Sequence, residues 1–270
     1  LDSEEAGDEP YMLASNLPGA IVLVAKDRVN AGRFAIKEFD VDVLILDDGF
    51  QYLSLKGQLN LLLIDQTNPF GNGKLLPRGI LREPISHLSR ATYVFLTKSE
   101  VEPGLELLQS VRKFNDHAEI IRCIHRAKHL RKVNGTESRD LSFLNESYVG
   151  VFCGIASPRG FEDLINRMSG ELRFKKRFLD HHRYEKEELD HMFQKARNAG
   201  ADVMITTEKD AVRIPGNYEP ILPFYYVRME IEIIEGFDDF KDAVDDICFA
   251  EENLFGPKAG KELADSQKSS

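Results

Sequence analysis

Positive charge is in short supply in this chain. Its 270 residues carry 35 Lys and Arg against 45 Asp and Glu, a formal net charge of −10. That balance argues against nucleic acid as a partner, because phosphate neutralisation needs clustered Lys and Arg. It still leaves room for a local basic patch that suits a small phosphorylated or anionic-lipid substrate. Cysteine is scarce too. Cys123, Cys153 and Cys248 lie far apart and form no C-x-x-C pair. This disfavours a disulfide framework or a zinc site and fits a reducing compartment. Long apolar runs are missing: none approaches the ~18 residues of a membrane span. No signal-peptide pattern and no internal repeat is visible. The chain opens at Leu1 in acidic, helix-like text and reads as a fragment whose start is missing.

What is present is apolar text in short blocks, 42% hydrophobic residues in all, enough for a real core in one large or two modest domains. "AIVLVA" (20–25), "DVLIL" (42–46), "LNLLLID" (59–65) and "TYVFLT" (92–97) are near-continuous apolar runs, as in strands buried on both faces of a parallel sheet. "RVNAGRFAIKEF" between the first two suits a crossover helix. "AEIIRCIHRAKHLRKV" (118–133) reads as extended, and the Asn-, Ser- and Gly-rich text after it as a linker or hairpin. A second α/β pattern follows. It runs strand "YVGVFCGI", helix "PRGFEDLINRMSG", helix "EKEELDHMFQKARNAG", strand "ADVMITT" and strand "FYYVRMEIEII". The expected class is α/β in two domains, 1–140 and 141–250, with 251–270 as a disordered tail.

Five stretches carry groups able to do chemistry. Asp47 and Asp48 end an apolar run, at the carboxyl end of a predicted central strand, where open α/β sheets bind ligands. Two abutting carboxylates repel, and a cation beside them would relieve both; an N-capping Asp in a solvated turn fits the same text. "GDEP" puts Asp8 and Glu9 at a helix start, where acids complement the dipole whatever else they do. The long loop "PFGNGKLLPRGILREP" (69–84) holds Lys74, Arg78, Arg82 and Glu83 among glycines that permit close approach to a phosphate. "FLDHHRY" groups Asp180, His181 and His182. Adjacent histidines on an extended chain point to opposite faces, so acid–base use of one is favoured over chelation. "TTEKDAVRI" (206–214) suits helix capping or phosphate contact.

Taken in order, "GDEP", "DDGFQ", "FGNGKLLPRGILREP", "GIASPRGF", "DHH-x-Y" and "TTEKDAVRI" resemble the tetraacyldisaccharide 4′-kinase family across roughly residues 5–235. The resemblance implies a P-loop-kinase-like parallel-sheet domain, incomplete at its N-terminus, and a second smaller α/β domain joined to it by extended strands. It implies transfer of the γ-phosphoryl of ATP to the 4′-hydroxyl of tetraacyldisaccharide 1-phosphate in lipid A biosynthesis. The enzyme would work as a peripheral protein at the cytoplasmic face of the bacterial inner membrane, while this chain alone is expected to be soluble. By motif, Asp8 looks like the general base and His181 like its partner, with Asp180 in support. Asp47 and Asp48 look like the acids around Mg²⁺. Glu9, Gln51, Lys74, Arg82 and Glu83 look like substrate- or nucleotide-side residues. With Asp8 in the first domain and His181 in the second, the site is expected in an interdomain cleft.

The chain departs from the family in two places. Family members carry a GGTGKT P-loop upstream of GDEP and an N-terminal membrane-associating segment, and neither occurs in this sequence. "GNGK" (71–74) and "AGKE" (259–262) lack G-x-x-x-x-G-K-[ST] spacing. The chain alone is therefore expected to bind MgATP weakly and to be inactive. Tyr52 stands where the family commonly has His. A non-catalytic remnant that binds lipid or phosphosugar, and a P-loop phosphotransferase with another acceptor, are the alternative readings.

Overall fold

The computed structural model describes residues 3–249; the expected tail at 251–270 lies outside the described residues. Contacts group them into two compact units. Unit 1 holds the described residues up to Lys26 together with Arg126–Glu230, and unit 2 holds Asp27–His125 with the described residues from Ile231 on. The sequence reading sets a single boundary near residue 140. That position lies inside unit 1 instead, because the strand β3 (Glu119–Lys132) runs on past Arg126 and pairs with the short antiparallel β4 (Ser138–Arg139). One unit boundary follows Lys26, and the other two fall within β3 and within β8 (Phe224–Glu235).

In unit 2, β1 (Leu61–Asp65), β2 (Tyr93–Thr97) and the start of β3 pair in parallel. β2 shows why its sequence is apolar without alternation. Val94 and Leu96 face Leu107 and Val111 of α4 (Leu105–Phe114). Tyr93 and Phe95 face Phe240 of α8 (Phe237–Cys248), with ring centroids 5.4 and 5.1 Å apart. A strand covered by a helix on each face has no polar side to declare. α3 (Arg28–Phe39) forms as its text predicts, N-capped by Asp27, whose carboxylate accepts from the Asn30 amide.

Two expected strands do not form. Among the described residues, 20–25 and 42–46 pair with no strand, and Ile45 is 93% exposed. Apolar content alone does not make a strand; its N–H and C=O groups need a neighbouring ladder. β1 is accordingly an edge, with Ile64 buried and Leu63 exposed.

Unit 1 is built on the same plan. β5 (Tyr148–Cys153) lies between β6 (Glu171–Arg177) and β7 (Val203–Thr207), and β7 pairs with β8, all in parallel. Val149, Val151, Val203, Ile205 and Tyr225 pack with Phe161 and Ile165 of α5 (Pro158–Met168). Phe152, Met204 and Phe224 point the other way, onto Leu189, Met192 and Phe193 of α6 (Lys186–Asn198). The N-terminal helices α1 (Ser3–Ala6) and α2 (Asp8–Asn16) belong to this unit and lie against α7 (Glu208–Ala211), where Asn16 donates to Glu208 at 2.8 Å.

Candidate active site

Asp8 is the first residue of α2, set there by Gly7, whose φ of 91° suits glycine. His181 lies in the turn between β6 and α6, itself at φ 61°, with its amide donating to the Asp180 carboxylate at 3.0 Å. The expectation that Asp8 and His181 sit on different domains is overturned: both belong to unit 1, because α2 packs with the later half of the chain. Asp8 Oδ2 lies 3.2 Å from His181 Nδ1. His182 has a different task. Its ring stacks on Phe178 at 4.5 Å and its Nε2 meets Glu188 at 2.7 Å, so the two histidines have separate partners.

An open cleft of ≈ 340 Å³ is lined by Gly7, Asp8, Glu9, Pro10, His181 and Arg183. The Asp8 side chain is only 8% exposed. Its Oδ2 accepts from Arg213 Nε at 2.8 Å. Its Oδ1 is ion-paired with Arg183 at 3.0 Å yet accepts no hydrogen bond among the described residues. Burial pushes the Asp8 carboxyl up, but hydrogen bonds from Arg213 and His181 and the charges of Arg213 and Arg183 outweigh it and hold it below the usual value. Glu9 is paired with Lys209.

Behind Asp8 stands a buried polar chain that sequence reasoning missed. Arg213 is fully buried, and its Nη1 donates to the Gly154 carbonyl at 2.9 Å and to Asp210 Oδ1 at 3.3 Å. The same Asp210 oxygen accepts from the Gly154 amide at 3.0 Å and from Tyr184 Oη at 2.8 Å. Thr207 caps α7 as its text predicts, accepting from the Asp210 amide at 3.1 Å and donating to Asp210 Oδ2 at 2.6 Å. Burial and the neighbouring Asp210 push the Tyr184 phenol up, so it stays a donor. The available signal was the Asp-x-x-Arg spacing inside "TTEKDAVRI", hidden behind its capping pattern. Gly154 of "GIASPRGF" has to be glycine, since a Cβ would come within 2.8 Å of the Leu179 carbonyl.

The remaining candidates lie in unit 2. Asp47 and Asp48 occupy a turn, with Asp48 at φ 48°. Arg82 takes both Asp48 oxygens at 2.7 and 2.5 Å, and Arg28 donates to the Asp47 and Asp48 carbonyls at 2.8 and 3.1 Å. Tyr52 accepts from the Arg28 amide at 3.3 Å and so steadies the start of α3. Glu83 meets His87 at 2.9 Å and also Arg90, whose guanidinium lies 4.4 Å from the Phe50 ring centroid. These contacts join "DDGFQ" to "LREP". The loop carrying Lys74 is held by its own backbone, Leu76 N donating to Leu81 O at 2.8 Å and Leu81 N to Lys74 O at 3.2 Å. Lys74 and Gln51 are exposed. Among the described residues no three His, Cys, Asp or Glu side chains converge on a metal position. Two adjacent hard-oxygen donors nevertheless suit Mg²⁺, which takes one or two carboxylates and fills its shell with water and phosphate.

A family model described as tetraacyldisaccharide-1-P 4′-kinase (LpxK) matches residues 2–248. The chain belongs to the tetraacyldisaccharide-1-phosphate 4′-kinase family. Tetraacyldisaccharide 4′-kinase of Anaeromyxobacter dehalogenans strain 2CP-C is 35% identical over 252 residues, covering 90% of this chain and 66% of the relative. That of Elusimicrobium minutum is 37% identical over 248 residues, covering 88% and 65%. Among solved structures, the "apo" form of LpxK from Aquifex aeolicus in complex with ATP aligns with a TM-score of 0.71 at 27% identity, over 92% of this chain and 71% of that one. This member of the 4′-kinase family thus spans 66% or less of the length of those two curated relatives. Its α/β architecture is that of the family.

Proposed function

We propose that this chain carries catalytic residues of an ATP-dependent 4′-kinase acting on tetraacyldisaccharide 1-phosphate in lipid A biosynthesis. The observation that carries this reading is the Asp8 carboxylate. It is buried and ionised at the wall of an open cleft, with Oδ2 held beside His181 and Arg213 and with Oδ1, itself buried and ion-paired with Arg183, accepting no hydrogen bond. Such a group can receive the proton of an acceptor hydroxyl. As the sugar 4′-oxygen bonds to the γ-phosphorus, its proton passes to Asp8, and the bond from phosphorus to the β,γ-bridging oxygen breaks to release ADP. His181 orients Asp8 and shares that proton, and Asp180 fixes the turn that presents the imidazole. Mg²⁺, when bound, neutralises phosphate charge. Asp47 and Asp48 are the residues that would hold it. Glu9, Gln51, Lys74, Arg82 and Glu83 serve the nucleotide or the acceptor. The lipid acceptor implies peripheral contact with the cytoplasmic face of the inner membrane. No helix among the described residues is long and apolar enough to cross a membrane.

The test is steady-state transfer from ATP to tetraacyldisaccharide 1-phosphate by the full-length gene product. Asp8→Asn is expected to lower kcat by about 10²–10⁴, the usual worth of a general base. A loss smaller than about tenfold removes Asp8 from that role.

A further inference from the structure

The buried chain behind Asp8 has no counterpart in the roles assigned above. Arg213 is fully buried, a position rarely given to a charge unless it is paired. Its five donors are distributed in one plane. Nη1 is spent on the Gly154 carbonyl and Asp210, Nε on Asp8 Oδ2, and Nη2 lies 3.3 Å from His181 Nδ1. Asp210 is in turn fixed by the Gly154 amide, Tyr184 and Thr207. The guanidinium is therefore rigidly anchored on one side and presents its other side to the Asp8–His181 pair.

The geometry has a consequence for the imidazole. Nδ1 cannot donate to Asp8 and accept from Arg213 Nη2 with the same lone pair and proton. A protonated Nδ1 faces Asp8; a bare Nδ1 accepts from Arg213. A fixed arginine within reach of both groups sets which arrangement holds. The charged and titratable groups that face Asp8 are Arg213 from the turn after α7 and His181 and Arg183 from the turn before α6. Glu9, on the same helix as Asp8, is neutralised by Lys209.

We propose that Arg213 is the positioning residue of this site: through the Tyr184–Asp210–Gly154 anchor it clamps Asp8 Oδ2, sets a fixed positive charge beside it, and fixes the side on which His181 holds its proton. Asp8 rather than Arg213 meets the acceptor. The catalytic consequence rests on the base role proposed for Asp8; the electrostatic one does not.

Carbon-13 NMR of the Asp8 carboxyl in this chain reads the electrostatic part directly, without substrate. In the unsubstituted protein the Asp8 midpoint is expected below that of a free aspartate, and the Arg213 Nε–H resonance is expected to titrate with the same midpoint. Arg213→Gln is expected to raise the midpoint by about one unit or more, and Arg213→Lys to restore part of the difference. The nitrogen-15 pattern of His181 should change tautomer balance in Arg213→Gln. A folded Arg213→Gln protein whose Asp8 midpoint and His181 pattern match the unsubstituted chain overturns the proposal. If the Gln protein does not fold, the unsubstituted chain decides: an Arg213 Nε–H signal blind to Asp8 ionisation overturns it. In the full-length kinase, the acid limb of kcat/KM should move to higher pH in Arg213→Gln. Failure of that arm alone, with the NMR shifts observed, counts against Asp8 as base and leaves the clamp standing.

Discussion

At the scale of single residues, the site is decided by which polar atoms are buried and which of them are matched. Tyr184 and Asp210 are both buried, and the phenol supplies one of the donors that keep the Asp210 carboxylate satisfied. Tyr184→Phe removes that donor and little volume. It is expected to cost about 1–3 kcal/mol, the penalty for leaving a buried acceptor short of a partner, and urea denaturation followed by circular dichroism measures it. A cost below a few tenths would mean water reaches Asp210. Asp8 makes a second prediction, with a definite sign. Its folded-state pKa lies below the ordinary 3.8 although burial opposes this. Its contribution to stability is therefore complete above the unfolded value and is lost as pH falls through the folded one. The gap in melting temperature between the parent chain and Asp8→Asn should be constant above about pH 5 and should close as the medium is acidified below the unfolded value. A gap that widens with acid would show the folded-state pKa of Asp8 to lie above its unfolded value.

At the scale of elements, the loop at 69–84 is an ordered object and not a slack connection. Asn72 donates to the Arg78 carbonyl at 2.9 Å, and Gly79 passes so close that a Cβ would lie 2.1 Å from the Lys74 carbonyl and 2.2 Å from Asn72 Oδ1. Gly79→Ala is thus expected to open the loop. Limited proteolysis should cut between Gly71 and Gly79 faster in the variant, with the melting temperature of unit 1 unchanged; equal cutting rates would mean that the loop is already open. The same scale shows what the sequence could and could not disclose. The strands "TYVFLT", "YVGVF" and "DVMITT" were legible because each is apolar on both faces and each has a helix on either side. "AIVLVA" and "DVLIL" carry the same local text and form no strand, since pairing depends on a neighbour that local text does not contain. The helix at Phe237–Cys248 went unread, although its first turn carries Asp238 and Asp239 and Phe240 and Ala243 follow at helical spacing. The contact between Asp8 and His181 was foreseeable from the short motifs that hold them. Arg213 was not, because an arginine after a capping pattern looks like surface until its burial is seen.

At the scale of the whole chain, unit 1 is discontinuous: its N-terminal helices come from the first residues and its strands from the middle. Local text pointed to a sequential division because nothing in it records that α2 packs against α7, some 200 positions later; the Glu9–Lys209 pair has |i−j| = 200. The ties are specific. Ser3 donates to the Val212 carbonyl at 2.7 Å, Arg183 donates to Ser3, Arg213 to Asp8, and Asn16 to Glu208, which also takes Arg228 at 2.7 Å. Deleting residues 3–16 removes every one of those N-terminal partners and leaves the Arg213 guanidinium balanced by Asp210 alone. Amide hydrogen exchange should then rise across 178–184 and Val203–Ala211, where the lost partners docked, because local opening follows the loss of local contacts. Protection in Tyr93–Thr97 of unit 2, whose strand is sandwiched between α4 and α8, should be retained. A uniform loss of protection over both segments would show that the chain unfolds as one cooperative body. Unchanged exchange at Val203–Ala211 would show that the helix bearing Asp8 adds nothing to the unit that orients it.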